Sequence, residues 1–167
     1  MIIKYTNFSD GIHSFHLSEP VKNLGFEEIF SGNVEVDVKM DKSAHQIVLD
    51  CDLSVKCNLV CDRCATEFQT NLTNHFQISY LFSRENIESD DFNVKFISPD
   101  QEKINLKEDV HEYLELSLPL KNVCKEECKG LCPHCGKNLN EFQCDCKEEK
   151  INDVWEPLKK LKGNFNN

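Results

Sequence analysis

From Asn33 onward, apolar and polar residues alternate with the period of a half-buried strand. Val34, Val36, Val38 and Met40 take the even positions. Residues 41–45 read as a turn. Ile47, Leu49, Cys51, Leu53, Val55, Cys57, Leu59 and Cys61 then occupy every odd position. A further alternation follows on even positions, with Phe68, Leu72, Phe76, Ile78, Tyr80 and Phe82. One face of each strand needs cover, so the pattern predicts long strands in up-and-down order within one antiparallel sheet. The second and third of these strands meet at Cys61-Asp62-Arg63-Cys64, which places a C-x-x-C motif at a hairpin tip.

The flanking signals are shorter. Ile2 to Tyr5 and His13 to Leu17 look like small strands, split by the turn residues Ser9-Asp10-Gly11. Phe26 to Phe30 suits a helical turn. Residues 83–91 are polar and acidic, hence a loop, and Phe92, Val94 and Phe96 suggest a fourth strand. After a second loop at 99–103, Asn105 opens a helix with Glu108 three residues on, a capping-box pattern. Leu106, Val110, Tyr113 and Leu114 form its apolar stripe, and Pro119 ends it. Near the C-terminus, Asp153 can cap a short helix lined by Trp155, Leu158 and Leu161, with Gly163 as a stop signal.

Composition narrows the class. The 167 residues are 40% hydrophobic and include eleven Phe, enough for a core. No basic-then-apolar leader and no long apolar span occurs, so neither a signal peptide nor a membrane segment is expected, and the expected location is cytoplasmic. The charge of −10 is uneven: residues 1–120 hold 10 basic and 21 acidic side chains, and residues 121–167 hold 9 Lys and 8 acids. No broad basic footprint for nucleic acid is present. Only Lys121, Lys125, Lys129, Lys137, Lys159, Lys160 and Lys162 could supply one.

The densest chemistry lies in the cysteines, of which there are ten. Cys51 and Cys57 fall on an apolar strand face and read as small buried hydrophobes. The other eight form close pairs: Cys61/Cys64, Cys124/Cys128, Cys132/Cys135 and Cys144/Cys146. In a reducing compartment clustered thiols favour metal over disulfides. Zinc takes four ligands in structural sites, so eight thiolates suit two ions. One assignment joins Cys132/Cys135 to Cys144/Cys146, and Cys61/Cys64 to Cys124/Cys128. A rival puts Cys124, Cys128, Cys132 and Cys135 on one metal and leaves Cys61/Cys64 as a separate thiol pair. The fold class expected is α+β: an antiparallel β-sheet meander with one packed helix, a C-terminal zinc-knuckle segment and a short terminal helix. The divisions fall at 1–120, 121–150 and 151–167.

Catalytic signatures are missing from the sequence. The six His are scattered, without an H-E-x-x-H pair, and His134 between two cysteines should point outward. No nucleophile elbow or phosphate-binding loop stands out. The expectation is a protein without enzymatic activity and without a small-molecule substrate. Arg63 either presents a charge beside the metal turn for a phosphate or carboxylate, or it offsets thiolate charge or pairs with Asp62 or a nearby acid.

Three blocks together resemble the bacterial YceD family, also called large ribosomal RNA subunit accumulation proteins. They are Cys61-x-Arg63-Cys64; the predicted helix from Leu106 to Leu118 with Pro119, leading into Cys128-Lys129-Gly130-Leu131-Cys132-Pro133-His134-Cys135-Gly136-x-Asn138-Leu139-Asn140; and Asp153-x-Trp155-x-x-Leu158-x-x-Leu161. The family's usual D-P-R-W-like tail stands here as Asp153-Val154-Trp155. The resemblance implies a ribosome-biogenesis factor that supports accumulation of large-subunit rRNA, with zinc supporting the fold. Its partner would be the rRNA precursor or a basic ribosomal protein. The alternatives are a redox-responsive zinc protein or chaperone, whose usual motif order is the reverse of this one, and a zinc ribbon acting in transcription, against which the net acidity weighs.

Overall fold

The alternating segments fold as long strands because each can hide one face and wet the other. The computed structural model describes residues 1–25, 29–83, 93–98 and 100–146. The strands are β1 (Ile2–Ile3), β2 (Gly11–Pro20), β3 (Phe30–Lys42), β4 (Gln46–Val60), β5 (Glu67–Leu81), β6 (Val94–Phe96) and β7 (Ile104–Asn105), followed by the helix α1 (Lys107–Leu116). The main sheet has the order β2-β3-β4-β5-β6, and β1 pairs separately with β7. Val34, Val36, Val38 and Met40 of β3, the odd residues of β4 from Ile47 to Cys57, and Phe76, Ile78 and Tyr80 of β5 all face the core.

Two elements depart from the expected meander. The neighbours β2 to β5 are antiparallel, but β6 runs parallel to β5, pairing Val94 with Ser79 and Phe96 with Leu81. A parallel return needs a connection of a dozen or more residues, and residues 82–93 supply it. The sheet is therefore mixed. At the N-terminus, β1 stops at Ile3, and a 3₁₀ turn over Tyr5–Asn7 follows because its partner β7 is only two residues long. A 3₁₀ turn spans Val21–Leu24, and of the helical turn expected over Phe26 to Phe30 the described end, Phe30, belongs to β3. Residues 26–28, Phe92 and the predicted helix from Asp153 lie outside the described residues.

The helix lies on the core side of the sheet. Leu106, Val110 and Leu114 are fully buried, each worth roughly 1.5–3 kcal/mol relative to exposure. Tyr113 stacks on Phe76 of β5 with ring centroids 4.2 Å apart. Leu106, rather than Asn105, takes the cap position, yet the Asn105 Oδ1 still accepts the Lys107 N–H at 3.1 Å. Glu108 and Asp109 in the first turn complement the helix dipole. Asp109 is buried, and it is matched there by Lys95 of β6 and by the Tyr80 hydroxyl at 3.3 Å. Among the described residues no helix is long and apolar enough to cross a membrane.

Candidate metal centre

The β4–β5 hairpin and the chain after α1 converge on one end of the sheet. Cys61 leaves β4, and its carbonyl accepts the Ala65 N–H at 2.8 Å, closing the tight turn that carries Cys64. Ala65 adopts φ 56° to complete that turn. The segment after α1 docks against it. The Asp62 N–H reaches the Asn122 carbonyl at 2.8 Å, and the Asp62 carboxylate accepts the Asn122 N–H at 2.7 Å. Cys124 and Cys128 thereby face Cys61 and Cys64.

These four sulfurs lie within 4.8 Å of one another. Cys61 and Cys128 are 3.8 Å apart, and Cys64 and Cys124 are 3.7 Å apart. A tetrahedron with Zn–S bonds of about 2.3 Å has S···S edges of about 3.8 Å, the length of these two edges, so the set is compatible with zinc. A disulfide would need about 2.05 Å, and all ten cysteines are free thiols. The second set is Cys132, Cys135, Cys144 and Cys146, again within 4.8 Å. Its Cys132–Cys144 and Cys135–Cys144 separations are 3.3 and 3.5 Å. The first sequence assignment is the one that the structure assembles; the rival grouping across the two pairs is not.

The sites differ in setting. Cys61, Cys64 and Cys128 are buried with Phe68 and Val123 packed around them. In the second site only Cys132 is buried, and Cys135 and Cys146 are exposed. His134 is exposed, as expected of its place between two cysteines, and lies outside the second cysteine group. Cys51 and Cys57 sit in the core, and burial, ahead of the charge of Asp50, pushes the Cys51 thiol up to about 12.

The backbone prepares each site for negative charge. Burial pushes the Cys61 thiol up, but the N–H groups of Cys124, Cys64 and Arg63 outweigh it and bring it down to about 6. The N–H groups of Cys135 and His134 bring Cys132 down to about 6. Burial and the facing thiols push Cys124 up to about 12, and the thiols of Cys144 and Cys135 do the same to Cys146. Against its burial, Cys128 is lowered as well, by the Asn140 amide and the Gly130 N–H. The protein itself thus favours the thiolate at Cys61 and Cys128 in the first site and at Cys132 in the second; assembling four thiolates requires a cation between them.

Two asparagines join the sites, a role that the spacing did not signal. The Asn140 amide donates to the Cys128 sulfur at 3.3 Å and accepts the Lys129 N–H at 2.9 Å. The Asn138 amide reaches the Thr66 hydroxyl at 3.3 Å, beyond the hairpin tip. Both stand in the motif block quoted above, which marked them without explaining them. Arg63 makes a contact that the sequence did not signal. Its guanidinium donates to the carbonyls of Glu126 and Cys128, at 3.2 and 3.1 Å, and so straps the second cysteine pair to the first. A third group, Asp50, Asp52 and His75, lies apart on the exposed face of the sheet.

A mixed sheet with one packed helix carries, after that helix and at the hairpin tip, two sets of four cysteines that could each hold a metal ion. The family model described as "Large ribosomal RNA subunit accumulation protein YceD" matches residues 49–162. The chain belongs to the YceD family. It is 24% identical over 155 residues to the Arabidopsis thaliana "Large ribosomal RNA subunit accumulation protein YCED homolog 1, chloroplastic", covering 77% of this chain and 48% of that protein. It is 36% identical over 76 residues to the Zea mays protein of the same name, covering 45% of this chain and 24% of that one. The chain thus spans half or less of the length of these curated relatives. No solved structure matches.

Proposed function

We propose that this chain is a non-enzymatic, zinc-stabilised factor that supports accumulation of large-subunit ribosomal RNA by binding another component of the assembling subunit. The observation that carries the reading is the family match, which spans both cysteine sets. Cys61, Cys64, Cys124 and Cys128 would hold one zinc ion, and Cys132, Cys135, Cys144 and Cys146 a second. The first would staple the hairpin tip to the segment after α1, closing a loop of about 60 residues. Four thiolates fill a tetrahedral ion and leave no position for water, which suits a structural role rather than catalysis.

Depletion of the protein tests the role. Large-subunit rRNA should fall relative to small-subunit rRNA, and re-expression should restore it. Unchanged rRNA and subunit profiles would overturn the proposal. The exposure of Cys135 and Cys146 favours a second reading, a thiol switch at the outer site. Retention of both zinc ions under mild peroxide would argue against that switch.

A further inference from the structure

The face of the sheet turned away from the core is a trough. Depressions of about 570, 460, 410 and 200 Å³ run into one another along it. The first and second share Ser54 and Thr73, the second and third share Asp37 and Asp52, and the third and fourth share Lys39 and Asp50. A register shift between Ser31 and Glu35, where β3 meets β4, lies at the head of the trough. Such irregularities bend a strand and sharpen its twist. From Gly32 to Asp41 the trough follows β3 for about 30 Å, the length of an extended segment of about nine residues.

Its chemistry is one-sided. Glu35, Asp37, Asp41, Asp50 and Asp52 line it against Lys39 and Lys56 and two imidazoles, His16 and His75, the latter 3.0 Å from Asp52 and 3.7 Å from Asp50. Asp37 and Asp52 keep three quarters of their side-chain surface in water, 75% and 74%, so each retains free acceptor capacity. Ser54, Thr73 and Gln77 add neutral hydrogen-bonding groups between the acids. The His16 imidazole already lies between Asp37 and Glu35, at 2.8 Å from each, which shows that the walls can seat a nitrogen donor between paired carboxylates.

The wider field points the same way. The chain carries −10, and each four-thiolate zinc site would add −2, for about −14 when both are loaded. That field repels phosphates and attracts cationic polypeptide. We propose that the trough is a docking surface for an extended, lysine- and arginine-bearing segment of a protein partner. The inference rests on the binding role proposed above and names the surface and the chemistry that would carry it.

The test uses the full zinc-loaded chain and a labelled peptide of about ten residues in which Arg and Lys alternate with Gly and Ser. Binding is read by fluorescence anisotropy at several salt concentrations. Neutralising the trough with Asp37→Asn, Asp50→Asn and Asp52→Asn together should weaken binding about tenfold at low salt. Removing as many charges from the exposed side of α1, with Glu108→Gln, Glu112→Gln and Glu115→Gln, should change it by less than about twofold. Lys39→Glu should tighten binding, an effect that a misfolded variant could not produce. Equal losses from the two triple variants would overturn the proposal, as would tighter binding of a single-stranded RNA of similar length than of the peptide. In depleted cells, full restoration of large-subunit rRNA by the trough variant would refute the trough while leaving the proposed role intact. Loss of restoration would support both.

Discussion

Gly130 and Gly136 are both in the left-handed region, at φ +76° and +71°, yet alanine should not cost the same at the two positions. A β-carbon at Gly136 meets nothing within 4 Å, so Gly136→Ala carries only the dihedral penalty, roughly 1–2 kcal/mol. At Gly130 the β-carbon would lie 2.9 Å from the Arg63 carbonyl oxygen, a backbone atom that cannot swing away. That carbonyl accepts the Leu131 N–H at 2.9 Å, the bond that holds the cysteine segment against the hairpin tip. Moving it forfeits about 0.5–1.5 kcal/mol more, so Gly130→Ala should cost on the order of 2–3 kcal/mol. The Gly130 N–H also points at the Cys128 sulfur, so zinc affinity at the first site should fall as well. Urea unfolding at buffered free zinc measures the difference. With a slope of about 1–3 kcal/mol per molar, the two midpoints should separate by roughly 0.5 M. Equal midpoints, or undiminished zinc affinity in Gly130→Ala, would show that the close approach of Gly130 to Arg63 does not hold the two parts together.

Other perturbations probe the same arrangement. The segment 124–146 has few apolar residues, with Phe142 and Leu131 exposed, so chelation should open it to protease before the sheet is cut; a segment that stays protected would refute this. Cys61→Ser and Cys135→Ser should each lower bound zinc from two ions per chain to one by metal analysis, whereas Cys57→Ala, in the core, should keep both. His16 should titrate above its ordinary 6.5 in an NMR pH series, because its hydrogen bonds to Asp37 and then Glu35 favour the charged ring. Its contribution to stability is therefore complete below 6.5 and lost as pH rises through the raised value, and Asp37→Asn should bring the midpoint back down.

Much of this architecture is legible along the chain because its cause is local. Alternation at period two commits Val34 to Met40, Ile47 to Cys57 and Phe76 to Tyr80 to one face whatever they pack against. The same register carries Cys61 to the hairpin tip, where a C-x-x-C turn can aim two sulfurs in one direction. The number of paired thiols, together with zinc's preference for four, limits the ways of sharing them.

Contacts distant in sequence were decided only by the tertiary structure. Whether β6 runs with β5 or against it depends on the path of the connection, and three residues of alternation are the same in either direction. The match of Cys61/Cys64 with Cys124/Cys128 required α1 to return the chain to the tip of β4, across some 60 residues. Arg63, Asn138 and Asn140 act on backbone carbonyls, a hydroxyl and a sulfur that no spacing rule places beside them. The trough is lined by residues of β2 to β5 that only the pairing of these strands brings side by side. The sequence by itself determined which strand faces are apolar, which are wet and which thiols could bind metal, because periodicity and ligand chemistry are properties of short segments. It did not determine how deeply each face is covered, since Leu59, Phe68, Leu72 and Phe82 are only partly buried. Only the folded chain decided which of those segments would meet, because that depends on long-range pairing and the geometry of closure.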